Sequence, residues 1–169
     1  TVTFTPPTSL ANQIPNANSG LCSIYCYTYN SGGTQIGSVV VKTITLNVPS
    51  YTPTASVALT GNNLLSSTYV KGKSTVTAKI TAASSYGATI SSYSSVVDGS
   101  TYTGQTFTSK VLSNGSKTVK ATVKDSRGKT VTVDSAAITV YDYAAPIITE
   151  FTLARQSNGT TVIATLKGT

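Results

Sequence analysis

Any chemistry in this chain has to be done without histidine, because the sequence contains none. Ser-His-Asp and Cys-His nucleophiles and histidine-bound metals are therefore excluded. The acids are Asp98, Asp125, Asp134, Asp142 and Glu150. Asp98 and Asp125 stand in or beside turn signals, where Asx hydrogen bonding to the backbone accounts for them. A glycosidase needs two carboxyls facing each other across a cleft, and no pair here is placed to do that. A calcium ion between Asp142 and Glu150 would have too few acids around it. A Lys–Asn isopeptide would need a buried acid, and Glu150, the only Glu, reads as an exposed strand residue. Cys22 and Cys26 fall on one face of a strand, about 13 Å apart, beyond the roughly 7 Å a disulfide spans. They are expected to be small buried apolar residues; two thiols with no histidine make a poor zinc site. The sequence thus calls for no catalytic residue, no metal, no cofactor and no enzymatic activity.

Binding chemistry has more material. The net charge is +7, which suits a polyanion such as an anionic polysaccharide. No nucleic-acid motif accompanies it, and a simply basic module explains it as well. Lys117, Lys120, Lys124, Arg127 and Lys129 form a basic stripe on a late strand and its hairpin. It reads either as a surface for an anionic cell-wall polymer or, with more weight, as edge protection and solubility. Tyr25, Tyr27 and Tyr29 share one strand face. Such a stripe stacks on sugar rings or lies half-buried against a neighbouring unit or subunit, and its nearness to a junction favours the second. Asn114-Gly115-Ser116 and Asn158-Gly159-Thr160 match the glycosylation triplet, although Asn-Gly is first of all a turn.

These residues sit on short alternating strands. Among the 169 residues no apolar run approaches the roughly 20 needed to cross a bilayer, and Thr1 to Pro7 lacks the pattern of a signal peptide. Only 10% of residues are charged, against about 25% in an average soluble domain; Thr and Ser take their place. Two stretches resemble each other: Ile44 to Leu59 and Ile138 to Leu153 each run strand, Tyr/Pro break, strand. Their separation is that of one immunoglobulin-type sandwich, and Pro49, Pro53 and Pro146 stop one unit and stiffen the step to the next. The expected architecture is all-β: tandem immunoglobulin-like β-sandwich domains, one complete and two partial. Residues 1–49 form the C-terminal part of one, residues 50–143 a complete sandwich of about seven strands, and residues 144–169 the start of another. In the first, Leu21–Tyr29 turns at Asn30–Thr34 into Ile36–Val48. In the second, strands are expected at Ala55–Leu59, Ser74–Ala82, Thr89–Val97, Ser100–Tyr102, Gln105–Leu112, Lys117–Asp125 and Thr130–Tyr141. Val76, Ala78 and Ile80 face inward, as do Val119, Ala121 and Val123. In the third, Ile147–Leu153 and Thr161–Leu166 join around Ser157–Gly159. The exposed edges of the partial units imply a longer polypeptide or subunit contacts that complete them.

Several segments carry a family resemblance. They are Tyr69-Val70-x-Gly72-Lys73-Ser74, Ala82-Ala83-x-x-Tyr86-Gly87-Ala88-x-Ile90, the Asp98-Gly99 turn, Asp125-Ser126-Arg127-Gly128 and Tyr143-x-x-Pro146. With the opening TPPTSLANQIPNANSG, they resemble the repeated immunoglobulin-like domain of minor tail and tail-fibre proteins of siphophages infecting Gram-positive bacteria. The resemblance implies a structural component of an extracellular virion tail that spaces or presents host-adhesion elements. Its implied partners are other tail proteins, further copies in a homotrimer and host cell-wall polysaccharide, with no nucleic acid and no membrane insertion. Two other readings stay open: a carbohydrate-binding module for a cell-wall polymer, and a repeat of a bacterial surface adhesin.

Overall fold

Small and β-branched apolar residues alternating with Thr and Lys make strands buried on one face. A computed structural model, describing residues 3–157 and 159–169, consists almost wholly of such strands. A 3-10 helix, Thr8–Gln13, precedes β1 (Ser19–Cys26) and β2 (Val40–Asn47). Next come β3 (Thr54–Asn62), β4 (Tyr69–Val70), β5 (Thr75–Ala83), β6 (Ile90–Val97), β7 (Ser100–Thr103) and β8 (Thr106–Thr108). Then follow β9 (Gly115–Lys117), β10 (Lys120–Asp125), β11 (Thr130–Asp134), β12 (Ile138–Tyr141), β13 (Ile148–Arg155) and β14 (Val162–Gly168). No helix among the described residues is long and apolar enough to cross a membrane.

A four-stranded sheet, β11-β10-β6-β7, and a three-stranded sheet, β3-β5-β8, supply the two faces of a sandwich. Between them one core gathers Val76, Ala78 and Ile80 of β5, Val97 of β6, Phe107 of β8, and Ala121 and Val123 of β10. The inward positions expected from period-two alternation are the buried ones; Val76, Ala78, Ile80 and Val123 are wholly inaccessible. The β6–β7 connection is the two-residue hairpin that Asp98-Gly99 predicts, with φ of 48° and 72°, the left-handed pair of a type I′ turn.

Two expected strands are each divided. Lys117–Asp125 splits into β9, paired with β12, and β10, paired with β6 and β11. Thr130–Tyr141 splits in the same place, so the hairpin leaves the large sheet together and enters a small one, β4-β12-β9. Ser135 bridges the step: its hydroxyl accepts the Val119 N–H at 2.9 Å, and its own N–H donates to the Val119 carbonyl at 2.9 Å. On the outgoing strand the period of two runs through the crossing unchanged, but on the returning strand the inward positions shift from Val131 and Val133 to Ile138 and Val140. Gln105–Leu112 likewise keeps only Thr106–Thr108 as strand, because beyond it the Ser109 hydroxyl takes over the Val76 N–H at 3.0 Å.

The remaining strands form two separate hairpins. β1 pairs with β2 from Ser19↔Asn47 to Cys26↔Val40, shorter than expected, with an isolated Tyr29↔Gln35 bridge beyond. β13 pairs antiparallel with β14, and every residue of both strands is exposed. Asn158, in the expected turn and glycosylation triplet, lies outside the described residues. The 3-10 helix has no counterpart in the sequence reading, and it matters for the site described next.

Candidate functional site

Along β10 the inward positions are Ala121, Val123 and Asp125, exposed by 1%, 0% and 1%. The carboxylate thus ends a buried apolar row at one pole of the sandwich. Its Oδ1 accepts the backbone N–H groups of Arg127 at 3.0 Å and Lys129 at 2.9 Å, the Asx turn expected there. Its Oδ2 accepts the Tyr51 hydroxyl at 2.6 Å and the Ser84 hydroxyl at 2.7 Å. Burial alone pushes the carboxyl pKa up, but the hydrogen bonds, led by that of Tyr51, together outweigh it and hold the pKa below its ordinary value.

Arg127 is the correction this pole makes to the basic stripe: it is 6% exposed and faces protein, not solvent. Its Nε donates to the Ala17 carbonyl at 2.8 Å. Nη1 donates to the Ser85 carbonyl at 3.1 Å and the Tyr51 hydroxyl at 3.3 Å. Nη2 donates to the carbonyls of Ala11 at 2.7 Å, Tyr86 at 2.7 Å and Ile14 at 3.0 Å. The planar fork of guanidinium donors suits such convergence, where a lysine would supply a point charge. The cation lies 5.8 Å from the Tyr51 ring centroid, and that ring meets Tyr86 edge-on at 5.6 Å. Tyr51 therefore stands between the charges, accepting from Arg127 and donating to Asp125. A buried cation and a buried anion are each costly alone; here the hydroxyl links them and backbone carbonyls replace water around the cation.

Two more contacts join the same surfaces. The Ser126 hydroxyl donates to the Pro15 carbonyl at 2.6 Å, and Asn18 Nδ2 donates to the Arg127 carbonyl at 3.3 Å. Gly87 lies so near Asn12 that a Cβ on it would stand 2.9 Å from the Asn12 Cα. The 3-10 helix and the residues after it, through Asn18, are thus seated on the pole formed by Tyr51, the Ser84–Gly87 loop and the β10–β11 hairpin.

The other candidate residues disperse. Lys117 is paired with Asp98 at 2.7 Å and Lys120 with Asp134 at 2.9 Å; Lys124 is exposed and Lys129 half-buried. No continuous basic surface results. Asp98 does not serve its own turn: it accepts from the Ser113 N–H and hydroxyl, both at 2.6 Å. The hydrogen bond from Lys117, followed by those from Ser113, lowers its pKa to about 2. Tyr25, Tyr27 and Tyr29 stand 57%, 49% and 57% exposed, with the Tyr27 and Tyr29 rings 6.5 Å apart. Both cysteines are free, Cys22 half-buried and Cys26 exposed, against the expectation of burial, because no described sheet packs over β1–β2 as the sandwich sheets pack on each other. Asp142 pairs with Lys71 at 3.2 Å and Glu150 with Lys167 at 2.6 Å. No cluster of metal-ligating side chains occurs among the described residues.

Sequence reasoning missed the burial of Asp125 and the roles of Arg127 and Tyr51. Parity along β10 could have found the first, since Asp125 shares the face of Ala121 and Val123. Nothing local marks Arg127 apart from its neighbours.

The family model described as "Siphovirus protein of unknown function (DUF859)" matches residues 1–168. The chain belongs to this siphovirus family. Membership in a siphovirus family implies a phage structural protein, and the all-β fold is compatible with that. Among solved structures it is similar to the fibronectin(III)-like modules of Clostridium thermocellum CbhA, at 17% identity and a TM-score of 0.45. That alignment covers 73% of this chain, which spans 63% of the length of that structure. No curated protein matches the sequence.

Proposed function

We propose that this chain is a structural component of the phage tail, a tail-fibre or minor tail protein of a phage with a Gram-positive host. It spaces or presents host-adhesion elements and performs no enzymatic step. Its units divide at residues 1–49, 50–143 and 144–169, and its partners are other tail proteins and, in a homotrimer, copies of itself. The observation that carries this reading is the arginine-centred contact across the first junction, which gives a spacer one joint at which successive units keep a fixed relation. The test is immunogold labelling of intact particles with antibody against this chain. Gold along the tail supports the proposal; gold confined to the capsid, or particles that never label, would sink it.

A second reading is favoured by the exposure of Tyr25, Tyr27 and Tyr29, which suits stacking on the sugar rings of a cell-wall polysaccharide. Saturable binding to purified host cell walls, lost when these tyrosines become alanine, would establish it. Membership in a siphovirus family supports either phage role over a bacterial surface adhesin.

A further inference from the structure

The chain contains the Asp125–Lys129 hairpin a second time, with its arginine removed. In the Asn30–Thr34 turn, the Asn30 N–H donates to the Thr34 carbonyl at 2.9 Å and the Gly33 N–H to the Asn30 carbonyl at 3.0 Å. The later turn repeats both bonds: Asp125 N–H to the Lys129 carbonyl at 2.9 Å, and Gly128 N–H to the Asp125 carbonyl at 3.0 Å. Asn30 Oδ1 accepts from Gly32 and Thr34 at 3.0 and 2.9 Å, as Asp125 Oδ1 does from Arg127 and Lys129. Gly33 and Gly128 share a φ near 80°, at 80° and 83°. The strands agree as well: Cys22↔Ile44, Leu21↔Thr45 and Gly20↔Leu46 repeat Lys117↔Ile138, Ser116↔Thr139 and Gly115↔Val140.

Against this common frame two substitutions stand out. Asn30 takes the place of Asp125, and Gly32 takes the place of Arg127. The Asx turn needs only a side-chain oxygen, and a neutral amide supplies it. The carboxylate charge is therefore not required by the hairpin. It accompanies the arginine, whose contacts reach the segment Ala11–Asn18.

That segment is fastened to its own hairpin, since the Val48 N–H donates to the Asn18 carbonyl at 2.9 Å and Ile14 packs on Gly20. Whatever holds Ala11–Asn18 thus holds β1–β2. The second junction is built differently. Residues 141–147 are exposed, as are all of β13 and β14. Its ion pair, Lys71–Asp142, has side chains 50% and 68% exposed, and such a pair contributes little.

We infer that Tyr51, the Ser84–Gly87 loop and Arg127 form an interdomain docking surface whose occupant is Ala11–Asn18, so that the first junction is a fixed joint and the second a swivel. The inference stands on contacts within the chain and is independent of where the protein sits in the virion.

Pulsed electron-spin distance measurements on the full chain test it. One label goes on Cys26, with Cys22→Ser, and its partner on Thr101→Cys across the first junction. A second pair, Thr101→Cys and Thr165→Cys with both native cysteines changed to serine, spans the second junction. The first pair should give a single narrow distance and the second a broad distribution. Arg127→Gln should broaden the first pair and leave the second as it was. Ala11→Lys attacks the contact from the occupant's side, leaves every side chain of the sandwich intact, and should broaden the first pair too. This variant decides the matter if Arg127→Gln unfolds the sandwich. A first-pair distance that stays narrow in Ala11→Lys, or a second pair as narrow as the first, overturns the inference.

Discussion

Tyr51→Phe isolates one oxygen at the centre of the buried pole. The ring remains, and with it the edge contact to Tyr86 and the face beneath Arg127, so no cavity opens. What is lost is the 2.6 Å donation to Asp125 and the 3.3 Å acceptance from Arg127. Asp125 keeps Ser84 and the two backbone N–H groups, and Arg127 keeps its carbonyls. A hydrogen bond to a charged group contributes roughly 1.5–3 kcal/mol, so the variant should lose about 2 kcal/mol at pH 7. The loss should also depend on pH. Because the folded-state pKa of Asp125 is depressed, its stabilisation is fully present above the unfolded value and disappears as pH falls through the folded one. Removing the Tyr51 bond lessens the depression, so the variant has less acid-sensitive stability to lose. Urea unfolding followed by far-ultraviolet circular dichroism should show a gap between the two proteins that is widest near neutrality and closes in acid. A gap under about 0.5 kcal/mol at pH 7, the low end even for a hydrogen bond between neutral groups, would refute the argument. So would a gap of constant size across the range.

Asp98→Asn removes the negative charge that Lys117 pairs with and turns one of the two oxygens that accept from Ser113 and Lys117 into a donor. The depression of its pKa from 3.8 to about 2 corresponds to about 2 kcal/mol at pH 7, lost as pH falls through about 2, and a carboxyl titration by nuclear magnetic resonance should locate that midpoint. Ile80→Ala empties a wholly buried site and should cost about 3 kcal/mol in urea unfolding. The Ser95 hydroxyl is buried without a hydrogen-bond partner among the described residues, so Ser95→Ala should be neutral or stabilising by up to about 1 kcal/mol; a clear destabilisation would reveal a partner for it. Cys26 should react with a maleimide in the native protein faster than half-buried Cys22, and mass spectrometry of the singly labelled product checks the order.

The strands, their inward faces and the Asp98-Gly99 turn are legible in the sequence because each depends on a few neighbouring residues. Alternation at Val76, Ala78 and Ile80 and at Val119, Ala121 and Val123 is a period of two written in side-chain type, and a Gly at positive φ needs no tertiary context. Extending that parity by one step puts Asp125 inside, so even its burial was within reach. The partners of Arg127 were not. Ala11, Ile14 and Ala17 precede it by more than a hundred residues, and they meet it through backbone carbonyls, which every residue has and no sequence pattern marks. Whether a surface-type cation ends up in water or among carbonyls is decided by which segments the fold brings to that pole. Sequence sufficed to find the hairpin twice; only the tertiary structure shows that one copy holds another part of the chain and the other does not.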